Sequence, residues 1–249
     1  RILPFLGTPL LITALVDLLF NLGLIVAVTT PLVQAKQWQN IGIFTSKLIV
    51  LMLANAMVYL GAYGAGPGQR FGVYLGLYVV LAITMTIGNR VFPFFIRRGL
   101  NLNDNLKTVP MIARANLVTF SAFCIGDLLW PGTRLVALLA GILAIINSWR
   151  LWTWTRREAW SVPMLWVLIL GYGWLIVGFA MLCLQIVDIF PRALGIHALT
   201  VGGIGMLTLG MMARVALGHT GRAIYAPKRL LNLCFTLTMA AAITRAIAP

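Results

Sequence analysis

Acidic residues are almost missing from this chain: five Asp and Glu stand against 19 Lys and Arg in 249 residues, a formal net charge of +14. Charge of either sign is scarce as well, at 10% of residues, where a soluble domain carries about 25%. Combined with 61% hydrophobic residues and a mean hydropathy of +0.96, this excludes a water-soluble fold. In a soluble protein the basic excess would point to nucleic acid. Here it belongs to short loops that basic residues retain on the cytoplasmic side during insertion, and no nucleic-acid partner is expected. The three cysteines, Cys124, Cys183 and Cys234, lie far apart in apolar stretches, which excludes a disulfide framework and a clustered zinc site. There is no C-x-x-C-H, so covalently attached haem is excluded too.

What is present is apolar length. At about 20 residues per span and about ten per connection, the chain holds roughly eight membrane crossings. The expected class is an all-α, polytopic transmembrane helical bundle, built as a single domain over 1–249 and bounded by the lipid bilayer. Hydropathy places the spans at 3–28, 41–64, 71–95, 111–130, 134–155, 162–187, 193–217 and 229–247. Pro31, Pro67, Pro110, Pro131, Pro163, Pro191 and Pro227 fall between them, where a missing amide donor matters least. The start at Arg1, already apolar by Ile2, has no signal-peptide pattern and reads as part of a longer chain.

Basic residues set the expected orientation. The odd-numbered loops carry Lys36, then Arg97, Arg98 and Lys107, then Arg156 and Arg157, then Arg222, Lys228 and Arg229; the even-numbered loops carry Arg70, Arg134 and Arg192. The odd loops are therefore expected in the cytoplasm and both ends of the chain outside it.

Ionisable residues within spans are costly and face a bundle interior or reach an interface. Lys47 and Arg114 lie near cytoplasmic ends, where long stems reach the headgroups. Asp17 is mid-span, with Thr13 and Asn21 four residues to either side on the same face, which reads as a buried polar helix contact or as a proton or ion relay. Asp127 precedes Trp130 and Pro131 and reads as interfacial; Trp149-Arg150-Leu151-Trp152-Thr153-Trp154, with Arg156, Arg157 and Trp160, reads as an aromatic belt with basic anchors. The proline of Gly88-Asn89-Arg90-Val91-Phe92-Pro93-Phe94-Phe95 frees a backbone carbonyl, which is tolerated at this depth when protein or water satisfies it, so its kink is expected to face inward.

Both histidines belong to the seventh span. Imidazole is a ligand for haem iron, copper and zinc, but 22 residues separate His197 from His219. At about 1.5 Å per residue this is roughly the full hydrocarbon thickness, so the two cannot share one metal. Gly202, Gly203, Met206, Gly210 and Ala213 gather on the face opposite His197, where small residues admit a neighbouring backbone or a flat tetrapyrrole. Toward the inner end Arg214, His219 and Arg222 are expected to meet Arg90, a cationic cluster suited to haem propionates or lipid phosphates. Met206, Met211 and Met212 are soft Cu(I) donors by type, but on an apolar helix they read as filling.

The tract from His197 to Arg222, H-A-L-T-V-G-G-I-G-M-L-T-L-G-M-M-A-R-V-A-L-G-H-T-G-R, resembles the signature of the NnrS family. G-N-R-V-F-P-F-F from Gly88 to Phe95 is similar to a second marker of that family, and P-M-L-W-V-L-I-L-G-Y-G-W from Pro163 to Trp174 to a third. The resemblance implies a multi-pass protein of the bacterial inner membrane that binds non-covalent b-type haem and copper and acts in nitric oxide stress or denitrification, by redox chemistry or by handling a metal nitrosyl species. It implies His197 and His219 as metal ligands, and Arg90, Arg214 and Arg222 as holders of anionic cofactor groups. The family pattern has about twelve spans, of which this chain resembles the C-terminal two-thirds, with further histidines in the N-terminal portion, so part of the metal chemistry is expected to be missing or to belong to another membrane chain. Tyr59 stands where the family often has histidine. From another functional class, the same chain reads as a cofactor-free membrane subunit or transporter core.

Overall fold

The computed structural model describes residues 7–64, 66–103, 109–225 and 229–247. Lys107, Pro227 and Lys228, placed above in loops, and the expected start of the first span at 3–6 lie outside the described residues.

Among the described residues, eight helices are long and apolar enough to cross a membrane: α1 (Leu10–Gln34), α2 (Trp38–Ala62), α3 (Gly68–Gly99), α4 (Pro110–Leu129), α5 (Arg134–Trp154), α6 (Pro163–Leu184), α7 (Arg192–His219) and α8 (Arg229–Ile247). The described residues contain no strand. This is a multi-pass helical membrane protein. The prolines mark most of the boundaries for a backbone reason. Pro110 and Pro163 occupy first-turn positions, whose amide has no intrahelical acceptor in any case. Pro31 does not lie between spans: α1 continues through it to Gln34, beyond the expected end at 28. Hydropathy falls at Thr29 and Thr30, yet neither hydroxyl is left unpaired, since Thr30 donates to the Val26 carbonyl and Thr29 meets Thr45 of α2 at 3.0 Å.

The chain forms two compact units, Arg1–Met85 and Thr86–Pro249. In the first, α2 and α3 approach through a seam of small residues. A Cβ added at Gly72 would lie 2.5 Å from the Ala54 carbonyl oxygen, and one at Gly68 would lie 2.9 Å from that of Met57. Bulk at either position would separate the backbones. The unit is otherwise open, with only 6% of the apolar window of α1, and of α2, buried within the protein.

The second unit is organised around α6, where 56% of the window is buried. Phe179 of α6 meets Phe120 and Phe123 of α4 edge-on, while Trp166 meets Phe235 of α8 in the same way. Against α7 the packing is reciprocal: Leu207 fills the space at Gly171 and Leu199 that at Gly178, while Trp174 and Leu175 cover Gly202 and Gly203. The glycine stripe of α7 is thus occupied by α6. Part of α7 departs from the regular helix assumed above, since Ala198–Gly205 is π-helical between α-helical Arg192–His197 and Met206–His219. The span remains continuous, so the two histidines stay at its opposite ends.

Two expectations are corrected in this unit. Asp127 is not interfacial but 4% exposed, and it accepts from both terminal nitrogens of Arg192 at 2.6 and 2.5 Å. The ion pair ties the end of α4 to the start of α7. The aromatic belt divides: Trp152 is 84% exposed, whereas Trp154 and Arg150 are buried. Leu143, Asn147, Arg150 and Trp154 recur at helical spacing and form the inward stripe of α5.

Candidate functional site

The three tracts with recognisable sequence converge on two buried arginines. Arg214 of α7 places its guanidinium carbon 3.7 Å from the Phe95 ring centre and 4.9 Å from that of Tyr225. Its Nη1 donates to the Tyr225 hydroxyl at 2.7 Å and its Nη2 to the Met164 carbonyl at 3.4 Å. Nε of Arg214 is buried and has no hydrogen-bond partner among the described residues. A guanidinium held by aromatic faces and neutral acceptors keeps its full charge and attracts an anion.

Arg150 of α5 forms the second centre. Nη2 donates to Asn89 Oδ1 and Nη1 to Asn147 Oδ1 at 3.2 Å. Asn147 in turn donates to Asn116 Oδ1 and to the Leu143 carbonyl, both at 2.8 Å, and accepts from the Tyr172 hydroxyl. The guanidinium stacks over Trp154 at 4.8 Å, and Phe92 packs against both Trp154 and Tyr172. Four helices, α3 to α6, thereby share one polar network that contains a cation and, among the described residues, no carboxylate. Asn89, Phe92 and Ile96 carry the inward face of α3 across Pro93, which lies inside that helix.

The expected site residues are spread out. His197 is partly buried at the start of the π-helical segment, within electrostatic reach of Arg245 at the end of α8. Thr200 donates to the Ile196 carbonyl at 2.8 Å beside it. His219 and Arg222 are exposed at the other end of α7, Arg90 is exposed on α3, and Arg214 is buried. The structure brings Arg214 to Phe95 and Tyr225, while the inward-facing neighbour of Arg90 is Asn89. Among the described residues no three His, Cys, Asp or Glu side chains group as a metal site. Sequence reasoning missed Arg150, Asn147 and Asn116. The signal was present in the periodicity of α5, where four inward residues share a face, but composition alone made the segment look interfacial.

In the first unit, Asp17 Oδ2 accepts from Asn55 Nδ2 at 2.9 Å and from the Tyr59 hydroxyl at 3.0 Å, across α1 and α2. Thr13, Asp17 and Asn21 line one cleft of about 1000 Å³ together with α2 and α3.

Compared with known proteins, the chain matches one family model, described as NnrS protein, over residues 1–249. No curated protein and no solved structure matches it.

Proposed function

The chain belongs to the NnrS family, and from that premise we propose that it is a bacterial inner-membrane protein that holds b-type haem and copper and acts in the response to nitric oxide or in denitrification. The family match over the whole chain carries this reading. Bound iron and copper would supply redox change and an open coordination position. His197 and His219, at opposite ends of α7, would each donate one imidazole, and Arg90, Arg214 and Arg222 would hold anionic groups.

The donor set fits this assignment in part. One imidazole would serve as a protein ligand of haem iron, and the buried Nε of Arg214, without a partner among the described residues, would suit a carboxylate. A closed copper site needs more donors than either end offers among the described residues, so another membrane chain supplies them in this reading.

The competing reading, a cofactor-free subunit or transporter core, draws on the glycine stripe of α7, which α6 fills and which leaves no slot there for a tetrapyrrole. Visible spectra and metal analysis of purified variants separate the two. His219→Ala is expected to shift or abolish the Soret band if His219 ligates haem, or to deplete copper and spare that band if it ligates copper. Arg214→Leu is expected to lower haem occupancy and leave the spectrum of the remaining haem unchanged. Retention of both cofactors in His219→Ala removes that residue from the ligand set. Loss of all haem and copper in either single histidine variant contradicts independent sites.

A further inference from the structure

Asp17 is a carboxylate near the middle of a 25-residue membrane-spanning helix, where charge is strongly disfavoured unless it is matched. Its recorded partners are neutral. Asn55 and Tyr59 both donate to Oδ2, and among the described residues no cation pairs with it and nothing donates to Oδ1. The surrounding amides add to the imbalance. Asn21 donates its side-chain N–H to the Asp17 carbonyl at 2.8 Å, and Asn55 donates its own to the carboxylate, yet neither amide oxygen accepts a hydrogen bond among the described residues. None of these three oxygens is a sealed, unsatisfied atom, and all three residues line the cleft. The cleft therefore offers one aspartate side chain and three oxygens, Asp17 Oδ1 and the two amide oxygens, that accept nothing among the described residues.

Its shape narrows the occupant. A calcium ion takes six to eight oxygens closed around it at about 2.3–2.6 Å, more than the three free acceptors here. This cleft measures about 1000 Å³, the upper end of the range for small-molecule pockets at roughly 300–1,000 Å³. Away from the polar cluster its walls are apolar, with Phe20 and Leu24 on α1, Val58 on α2 and Val73 on α3. The α2–α3 glycine seam keeps α3 close, with Gly72 and Gly76 adding lining that has no side chain.

We propose that this cleft binds a monovalent organic cation, a protonated amine whose ammonium donates to Asp17 and to the Asn21 and Asn55 amide oxygens while its apolar body lies against Phe20, Val58 and Val73. The site makes no use of the haem or copper assignment. Tyr59 and Asn55 fix the carboxylate, and the free Oδ1 receives the ligand.

The test uses the full chain in phosphatidylcholine nanodiscs, with phenethylammonium as probe and 2-phenylethanol as its uncharged counterpart, followed by isothermal titration calorimetry. Phenethylammonium is expected to bind saturably and 2-phenylethanol not to compete. Asp17→Asn should weaken binding by about tenfold or more, and Tyr59→Phe by about threefold to tenfold. Val73→Trp fills the cleft from α3 with the carboxylate intact and should abolish binding, while circular dichroism confirms that each variant is folded. Three results would overturn the proposal: equal affinity in Asp17→Asn, unchanged binding in Val73→Trp, or no binding to the wild type because another helix fills the cleft. Displacement of the probe by low-millimolar sodium would also overturn it, in favour of a hard-ion site.

Discussion

Asp17 and Arg150 are both ionisable residues on membrane-spanning helices, and both are held by uncharged partners, yet their surroundings differ. Arg150 is sealed: two asparagine oxygens accept its N–H hydrogen bonds, two aromatic rings face it, and it is 3% exposed. Asp17 lines an open cleft with one carboxylate oxygen bonded and the other free among the described residues. The first arrangement suits a structural role, because a closed network of neutral acceptors fixes four helices without admitting a ligand. The second leaves chemistry unmet. Burial follows the same division, at 6% of the apolar windows of α1 and α2 against 56% for α6.

The strongest test of that contrast is Arg150→Ala. It removes a large buried side chain, strands the Asn89 side-chain oxygen and takes one of two donors from that of Asn147, so we expect a loss of about 3 kcal/mol or more, read as a lowered Tm of the full chain in detergent. A wild-type Tm would show that the network does not hold α3 to α6 together. Next in size, Gly72→Leu should cost about 2 kcal/mol by forcing α2 from α3, whereas Gly173→Ala, where a Cβ meets nothing within 4 Å, should change stability by less than about 0.5 kcal/mol. Equal effects would mean that the glycine seam is not a close contact.

An intermediate effect is expected at the ion pair of α4 and α7. Asp127→Asn should cost about 1–2 kcal/mol, and a double-mutant cycle with Arg192→Gln should give a coupling of about 1–3 kcal/mol. Strict additivity would mean that the bidentate contact adds nothing beyond its parts. Among the polar substitutions Asp17→Asn should affect folding least, by under about 1 kcal/mol, because an amide oxygen can still accept from Asn55 and Tyr59. A loss as large as that of Arg150→Ala would make Asp17 structural and dissolve the comparison.

The spans were legible because apolar length and proline position record the solvent each segment meets. The face shared by Thr13, Asp17 and Asn21 was legible from fourfold spacing, and all three line one cleft. Its partners Asn55 and Tyr59 were not, since which face of α2 meets α1 depends on packing. Arg150 was hidden by its tryptophan neighbours: Trp149 and Trp152 are exposed, and only the phase of the helix separates them from Arg150 and Trp154. The π-helical segment of α7 left no signal in hydropathy, because a change of hydrogen-bond register alters neither apolar length nor composition. Asp127 looked interfacial because its partner Arg192 lies 65 residues away in sequence.

The proposed function rests on cofactors, and the visible spectrum of the purified full chain tests it most directly. A Soret band that shifts on reduction, with copper found in the same preparation, is the predicted result. Folded protein with no Soret band before or after incubation with haem would contradict the account.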